Sequence, residues 1–236
     1  MKENNLLNFD AELARLYKDQ SVVGRSGKKI TATGLSSTNN LLAIRNIILD
    51  KKPRKTLEVG LAYGGSAVTM LRSLADIHPV AEFEHSAIDP GQESFDFAGL
   101  EIVGKIGLEQ KFHFYGGSSD LILPKLAEEG KRFNLIYIDG YHIFENVFVD
   151  MYYSIKLLEV GGILLFDDCA DKHVKKVIRF INANLSGFMQ EFSLDKYQPA
   201  KSLNKKMANK LGYRQMYAFE KTADLPRVWD APFVNF

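Results

Sequence analysis

The sequence predicts a doubly wound α/β fold built on a mostly parallel sheet. From Thr56 onward, short apolar strands alternate strictly with segments of helical period. The strands are near-continuous apolar runs, as expected when helices cover both faces of a sheet. A glycine-rich turn follows the first of these strands directly, where open α/β sheets bind their ligands.

Asp10 is placed to cap a short helix running to about Lys18. Ser21 to Ser37 is rich in Gly, Ser, Thr and Lys and reads as a loop. Leu41, Leu42, Ile44, Ile47 and Ile48 recur at near-helical spacing, so Ser37 to Leu49 forms a second helix, which Pro53 closes. Residues 1–50 are thus expected to form an N-terminal helical extension or lid, and residues 51–236 the α/β domain. Within that domain the reading gives a strand at Thr56–Val59, a helix at Ser66–Ala75, a strand at Ser86–Ile88 and a helix at Phe95–Ile106. A third strand at Phe112–Tyr115 leads to a helix near Leu121–Glu128, and Leu135–Ile138 is the fourth. Its helix carries Val147, Met151, Ile155 and Leu158 on one face. Ile163–Phe166 is the fifth strand, followed by a helix from Lys172 to Asn184 with Val174, Val177, Ile178 and Ile181 inward. Such alternation implies right-handed crossovers. Phe188–Leu194 and Gln215–Glu220 then read as an antiparallel pair closing one edge, separated by a long polar segment without a clear helix.

Composition excludes several classes. Apolar residues make up 46% of 236, enough to fill a globular core. Thirty Lys and Arg against 29 Asp and Glu leave a net charge of +1, so no basic excess points to a nucleic-acid or membrane-surface partner. Cys169 is the sole cysteine, which excludes an intrachain disulfide and fits a reducing compartment. The N-terminus lacks the apolar core of a signal peptide, and no apolar run approaches the roughly 20 residues of a membrane span. A cytoplasmic protein is expected.

The residues just past each strand are Glu58 and Gly60, Asp89, Gly117 and Ser118, Asp139, and Asp167 with Asp168. Four of these five strand ends present a carboxylate, which is costly there without partners, so the concentration favours a site. The first turn reads Glu58-Val59-Gly60-Leu61-Ala62-Tyr63-Gly64-Gly65-Ser66. Gly60 permits a tight exit from the strand, and Gly64 and Gly65 let backbone approach a ligand before the helix begins at Ser66. A dinucleotide fingerprint fits poorly. Glu58 stands where that pattern has an apolar residue, and Asp89 lies 29 positions after Gly60, beyond the spacing of about 20 for a ribose acid.

Glu58-x-Gly60-x-x-x-Gly64-x-Ser66 resembles the first motif of class I S-adenosylmethionine-dependent methyltransferases. Asp89, in Ala87-Ile88-Asp89-Pro90, resembles their second-strand acid, and Tyr115-Gly116-Gly117-Ser118-Ser119-Asp120 the turn that borders the adenine. Ile138-Asp139-Gly140-Tyr141-His142 through Val147, and Leu158 through Asp168, are similar to the branch that includes small-molecule and catechol-type O-methyltransferases. The resemblance spans about Thr56 to Phe180. It implies a seven-stranded sheet with an antiparallel last strand, S-adenosylmethionine as cofactor, and a small-molecule hydroxyl as acceptor. A homodimer supported by the N-terminal helices stays open.

On this resemblance Asp89 accepts from both ribose hydroxyls, although a turn residue before Pro90 would look the same. Glu58 orients the glycine loop and favours the methionyl ammonium, or is a buried ion-pair partner. Tyr63 lies in the same cofactor loop, and the resemblance places Ser66 and Asp139 among the cofactor contacts as well. Gly117, Ser118 and Ser119 border adenine, or the serines cap the next helix. A hydroxyl nucleophile needs a base or a metal to lose its proton. Asp139, Asp167 and Asp168 resemble the Asp, Asp, Asn metal set of the catechol-type enzymes, with Asp168 in place of Asn, and three oxygen ligands suit Mg²⁺. Asp171 can cap the helix from Lys172, which frees Asp167 and Asp168 for a cation or substrate. His142, three residues after Asp139 where the catechol-type enzymes carry lysine, is the candidate base, and Asp139 works with it; a half-exposed histidine at a helix start is the bland alternative. Tyr141 and Asn146 could contact substrate.

Gly24-Arg25-Ser26-Gly27-Lys28-Lys29 lacks the spacing of a phosphate loop and fits a cover over the substrate. Lys172, Lys175, Lys176 and Arg179 read as a solvated helix face, and Lys201, Lys205, Lys206 and Lys210 as surface that could meet an anion. Two other functions share the glycine turn: a nicotinamide-dependent oxidoreductase and a non-catalytic cofactor-binding module.

Overall fold

The computed structural model describes residues 8–198, 214–224 and 229–236. The polar segment with Lys201, Lys205, Lys206 and Lys210 lies outside the described residues. The chain forms two compact units, one running to Ser119 and including Tyr197, the other beginning at Asp120.

The first unit holds α1 (Ala11–Asp19), β1 (Ser21–Val23), β2 (Lys29–Thr31), α2 (Thr38–Lys51), β3 (Lys55–Val59), α3 (Gly65–Ala75), β4 (Glu84–Asp89), α4 (Ala98–Lys105) and β5 (Phe112–Gly116). The second holds α5 (Ser119–Glu128) apart from its first residue, β6 (Phe133–Ile138), α6 (Phe144–Leu157), β7 (Leu158–Phe166), α7 (Lys172–Asn184), β8 (Met189–Glu191) and β9 (Tyr217–Lys221). The main sheet has seven strands in the order β5-β4-β3-β6-β7-β9-β8, and β1 and β2 form a separate hairpin. β3, β4 and β5 pair in parallel, as do β6 and β7; β9 is antiparallel to β7 and to β8, which closes the edge as expected.

The helix starts follow from their caps. Ser37 accepts from the Asn40 N–H at the head of α2, whose Leu41, Ala43, Ile44, Ile47 and Ile48 are buried. Asp171 caps α7 through the His173 N–H at 2.7 Å, and Val174, Val177, Ile178 and Ile181 face inward. Asp10 caps α1 through Leu13 N–H at 2.8 Å while its other oxygen takes Arg72 Nε at 2.6 Å. Because Asp10 is buried, Asp10→Ala removes a cap and strands a guanidinium. It is expected to lower stability in urea unfolding by about 1–3 kcal/mol, with Asp10→Asn, which keeps the cap, costing less.

Three elements depart from expectation. Ser21–Ser37 is not all loop: Ser21 pairs with Thr31 and Val23 with Lys29 across a turn at Gly27, φ 82°. Val22, Val23, Ile30 and Thr31 supply β-branched residues, but strands of three are too short to display alternation. The helix expected from Phe95 starts at Ala98, because Asp96 and Phe97 adopt left-handed φ of 49° and 57°. The Phe97 N–H bonds back to Gln92 O at 2.7 Å and the Asp96 carbonyl takes the Arg25 N–H at 2.8 Å, which hold that turn. Leu158, read as the last residue of a helix face, is extended (φ −79°, ψ 133°) and opens β7 opposite Phe133. The register shifts before Leu135 meets Ile163, with Gly161 at φ 83° in the irregular stretch. Buried Lys221 on β9 satisfies the carbonyls there, donating to Ile155 O at 3.0 Å and Leu158 O at 2.7 Å.

Candidate active site

In the first unit, β3 ends at Val59 and the glycine turn runs to α3. Gly64 has φ 80°, and a Cβ there would stand 2.6 Å from Ile102 Cγ2 and 2.9 Å from Gly99 O. Only glycine lets the turn press against α4. Asp89, at the tip of β4, ties the turn in place. Its Oδ2 accepts from Leu61 N–H at 2.9 Å and Ala62 N–H at 2.7 Å, and its Oδ1 from Gly91 N–H at 2.6 Å. The carboxylate is therefore a backbone clamp between two strand ends, and the Gly91 bond is the turn interaction that the Pro90 neighbourhood suggested. Gln92 adds a bond from Nε2 to Ala62 O at 2.8 Å, and Tyr63 packs on Phe95 with ring centroids 5.0 Å apart. Ser66 is buried in the first turn of α3. Gly117 and Ser118 follow β5, whose Gly116 pairs in register with Asp89.

Glu58 is wholly buried on β3, and its Oε1 lies 3.4 Å from His85 Nε2 on β4. Thr56 Oγ1 meets the other ring nitrogen, Nδ1, at 2.9 Å. Glu58 thus has an imidazole partner that the strand pattern conceals. A polar residue inside an otherwise buried parallel strand is the signal that could have revealed it.

In the second unit, Asp139 and His142 follow β6, and Asp167 and Asp168 follow β7. One oxygen each of Asp139 and Asp168 and one nitrogen of His142 lie mutually within 4.8 Å. His142 stands between the acids: Nδ1 is 3.1 Å from Asp168 Oδ2 and Nε2 is 3.6 Å from Asp139 Oδ1. Asp167 is buried and turns instead to Tyr137, whose hydroxyl lies 2.5 Å from Asp167 Oδ2 and 3.0 Å from Asp139 Oδ2. Gln215 Nε2 bonds to Asp168 Oδ1 and reaches Asp167 Oδ1 at 3.4 Å. Tyr137 and Gln215 were not legible as site residues: one is embedded in an apolar strand, the other is 47 positions from Asp168. Asp168 adopts φ 49°, a conformation Asp tolerates.

Electrostatics follow from this crowding. The pKa of His142 is held above its ordinary 6.5, first by Asp139 on its Nε2 side, against the opposing effect of burial, and then by Asp168. At 3.6 Å, Asp139 acts through charge at the outer limit of hydrogen bonding. Burial pushes the Cys169 thiol well above its usual value, so it is no nucleophile. A divalent cation fits this set: two carboxylates and an imidazole converge, and His142 Nε2 is buried with no hydrogen-bond partner among the described residues.

The fold is the Rossmann-like architecture of class I methyltransferases, with an antiparallel last strand. Residues 57–169, from β3 to the end of the acid cluster, match the model of a methyltransferase domain. Caffeoyl-CoA O-methyltransferase of Stellaria longipes is 27% identical over 121 residues, 50% of this chain and 46% of that protein. Caffeoyl-CoA O-methyltransferase 1 of Eucalyptus globulus is 28% identical over 117 residues, 49% and 44% of the two chains. The match therefore spans about half of this chain and less than half of each relative. Among solved structures, the O-methyltransferase TomG of Streptomyces achromogenes, in complex with SAM, superposes at TM-score 0.66 and 17% identity over 91% of both chains. An O-methyltransferase of Bacillus cereus in complex with SAH gives 0.64 at 15% identity, over 90% of this chain and 91% of the other. At such identities these likenesses establish the fold. The matches do not favour the nicotinamide reading.

Proposed function

We propose that the chain transfers a methyl group from S-adenosylmethionine to a hydroxyl oxygen of a small molecule, with a divalent cation assisting. The observation that carries the reading is His142 set between Asp139 and Asp168, past two parallel strands of a methyltransferase fold. The family match and the O-methyltransferase relatives support the reaction class. In the first unit, Glu58, Gly60, Tyr63, Gly64, Ser66, Asp89, Gly117 and Ser118 would hold the cofactor. The glycine turn is preorganised by Asp89, so little ordering remains when a ligand arrives.

The reaction is an in-line displacement: an O–C bond forms as the C–S bond of the sulfonium breaks. The acceptor's proton must leave. Asp168 accepts from Nδ1–H of His142, which fixes the tautomer that leaves Nε2 as the proton acceptor. The negative charge of Asp139 then steadies the imidazolium. Asp139 and Asp168, with the adjacent Asp167, would hold the cation, which when bound lowers the acceptor's pKa and orients its oxygen. A cytoplasmic setting and residues 1–50 as a cover over the site belong to the same proposal; the lone cysteine fits the former, and the hairpin tip, bonded to Asp96, the latter.

The test is calorimetric titration with S-adenosylhomocysteine, followed by turnover on a panel of phenolic and aliphatic hydroxyl acceptors. No binding at millimolar ligand would overturn the reading. Excess chelator is expected to lower turnover by about 10–100-fold, with Mg²⁺ or Mn²⁺ restoring it. Full turnover in chelator would remove the cation and leave methyl transfer standing.

A further inference from the structure

Among the buried titratable side chains that the mechanism above leaves unused is His85. It is fully buried in the middle of the β3–β4–β5 ladder. In the parallel register His85 stands directly opposite Thr56, and Ala87 opposite Glu58, so all four side chains share one face of the sheet. His85 therefore sits diagonally behind Glu58, one pleat deeper, and Ala87 leaves the small space through which the acid turns toward it. Phe112 packs beside the ring at 5.7 Å and fixes its plane.

The Thr56 hydroxyl can donate to Nδ1 or accept from it, so it is a Glu58 carboxylate facing Nε2 that selects a ring form with a proton there. When the Thr56 hydroxyl donates to Nδ1, the ring's proton is on Nε2. When the ring carries two protons, Nε2 is again protonated and Nδ1–H donates to Thr56. With Glu58 as a carboxylate, both arrangements aim Nε2–H at Oε1, 3.4 Å away. An alkyl side chain at position 85 would serve packing as well, but would leave Oε1 without this donor in a site that water does not reach.

We propose that His85 is a positioning residue for the cofactor acid: held by Thr56, it orients the Glu58 carboxylate and complements its charge, so that Glu58 is set for the cationic ammonium of the methyl donor. This rests on the role assigned to Glu58 under the proposed function. His85 touches neither the donor nor the reacting atoms; it acts on affinity through Glu58.

A double-mutant cycle on the full chain tests it, with S-adenosylhomocysteine, which carries the same ammonium, as the titrant. His85→Leu is expected to raise Kd about tenfold in the wild-type background, a change worth about 1.4 kcal/mol. His85→Gln, whose amide can donate to Glu58, should stay within about threefold of wild type, since it restores the donor. In a Glu58→Gln background the His85→Leu effect on Kd should vanish, because the group it orients has lost its charge. Turnover at saturating donor should change little, as a shift in affinity alone requires. A purely structural histidine would instead lower the melting temperature in every background without this dependence on Glu58. His85→Leu binding as wild type, or weakening binding equally in both backgrounds, overturns the proposal. Glu58→Gln binding as wild type overturns the underlying assignment of Glu58 itself. Should His85→Leu not fold, Thr56→Val, which removes only the bond to Nδ1, carries the same cycle with the same outcomes at about threefold.

Discussion

Asp89→Ala is expected to eliminate measurable S-adenosylhomocysteine binding and to cost the fold about 3–5 kcal/mol, three bonds to one charged group taken together less than additively. The substitution leaves the N–H groups of Leu61, Ala62 and Gly91 without their acceptor, and the first two belong to the turn that would carry the cofactor. Ala62 already holds a left-handed φ of 44°, so its conformation depends on that anchor. Asp89→Asn separates clamp from contact. Its amide keeps the volume but turns a donor toward one of the backbone N–H groups, so the turn loosens without a cavity. If binding and stability fall together across the two variants, the clamp explains the loss. If Asn unfolds at wild-type urea yet binds at least about tenfold more weakly, the carboxylate touches the ligand as well. Titration calorimetry beside urea unfolding gives both readings, and an Ala variant that binds within tenfold of wild type would contradict the role.

How much of this was legible in the sequence depended on the range of the interaction concerned. Asp10, Ser37 and Asp171 announce their helices because a cap acts on backbone only two or three residues away. The parallel strands show themselves because burial on both faces demands apolar runs; Phe133–Ile138 and Ile163–Phe166 are examples. The acids at the strand tips were visible for the same reason, as charges interrupting such runs. What stayed hidden depends on contacts between distant positions. The left-handed turn at Asp96 is stabilised by Ser26, whose N–H and hydroxyl both bond to its carboxylate, and by Arg25 stacked over Phe97 at 4.0 Å. Those bonds hold the Asp96 carboxyl below its usual range, yet nothing within the Phe95–Ile106 segment discloses them. Leu158 continued a helical period by coincidence, and only the pairing with Phe133 makes it a strand residue. Asp167 offers the sharpest instance. Its place at a strand tip is legible, but its bond from Tyr137, two residues before Asp139 and hidden in an apolar strand, is not, nor is the position of His142 between Asp139 and Asp168.

His142→Gln is expected to leave S-adenosylhomocysteine affinity unchanged and to lower kcat by about 10²–10⁴-fold, the range for losing a positioned general base. Glutamine can still donate toward Asp168 but cannot take up a proton, so the loss isolates proton transfer from the arrangement of the acids. The pH profile supplies the sign. A base must be unprotonated to act, and Asp139 and Asp168 hold the His142 proton more tightly than usual. Wild-type kcat/KM should therefore rise with pH through a value above 6.5 and level off beyond it. The same shift works oppositely on the fold: the imidazolium between two carboxylates stabilises the native state below 6.5, and that contribution is lost as pH rises through the folded value. Activity and stability should thus diverge across one pH window, both changes absent from His142→Gln. Saturating Mg²⁺ should move the activity rise to lower pH, because neutralising the carboxylates removes what holds the proton. A profile that keeps its position and slope in the Gln variant would assign the proton transfer to another group.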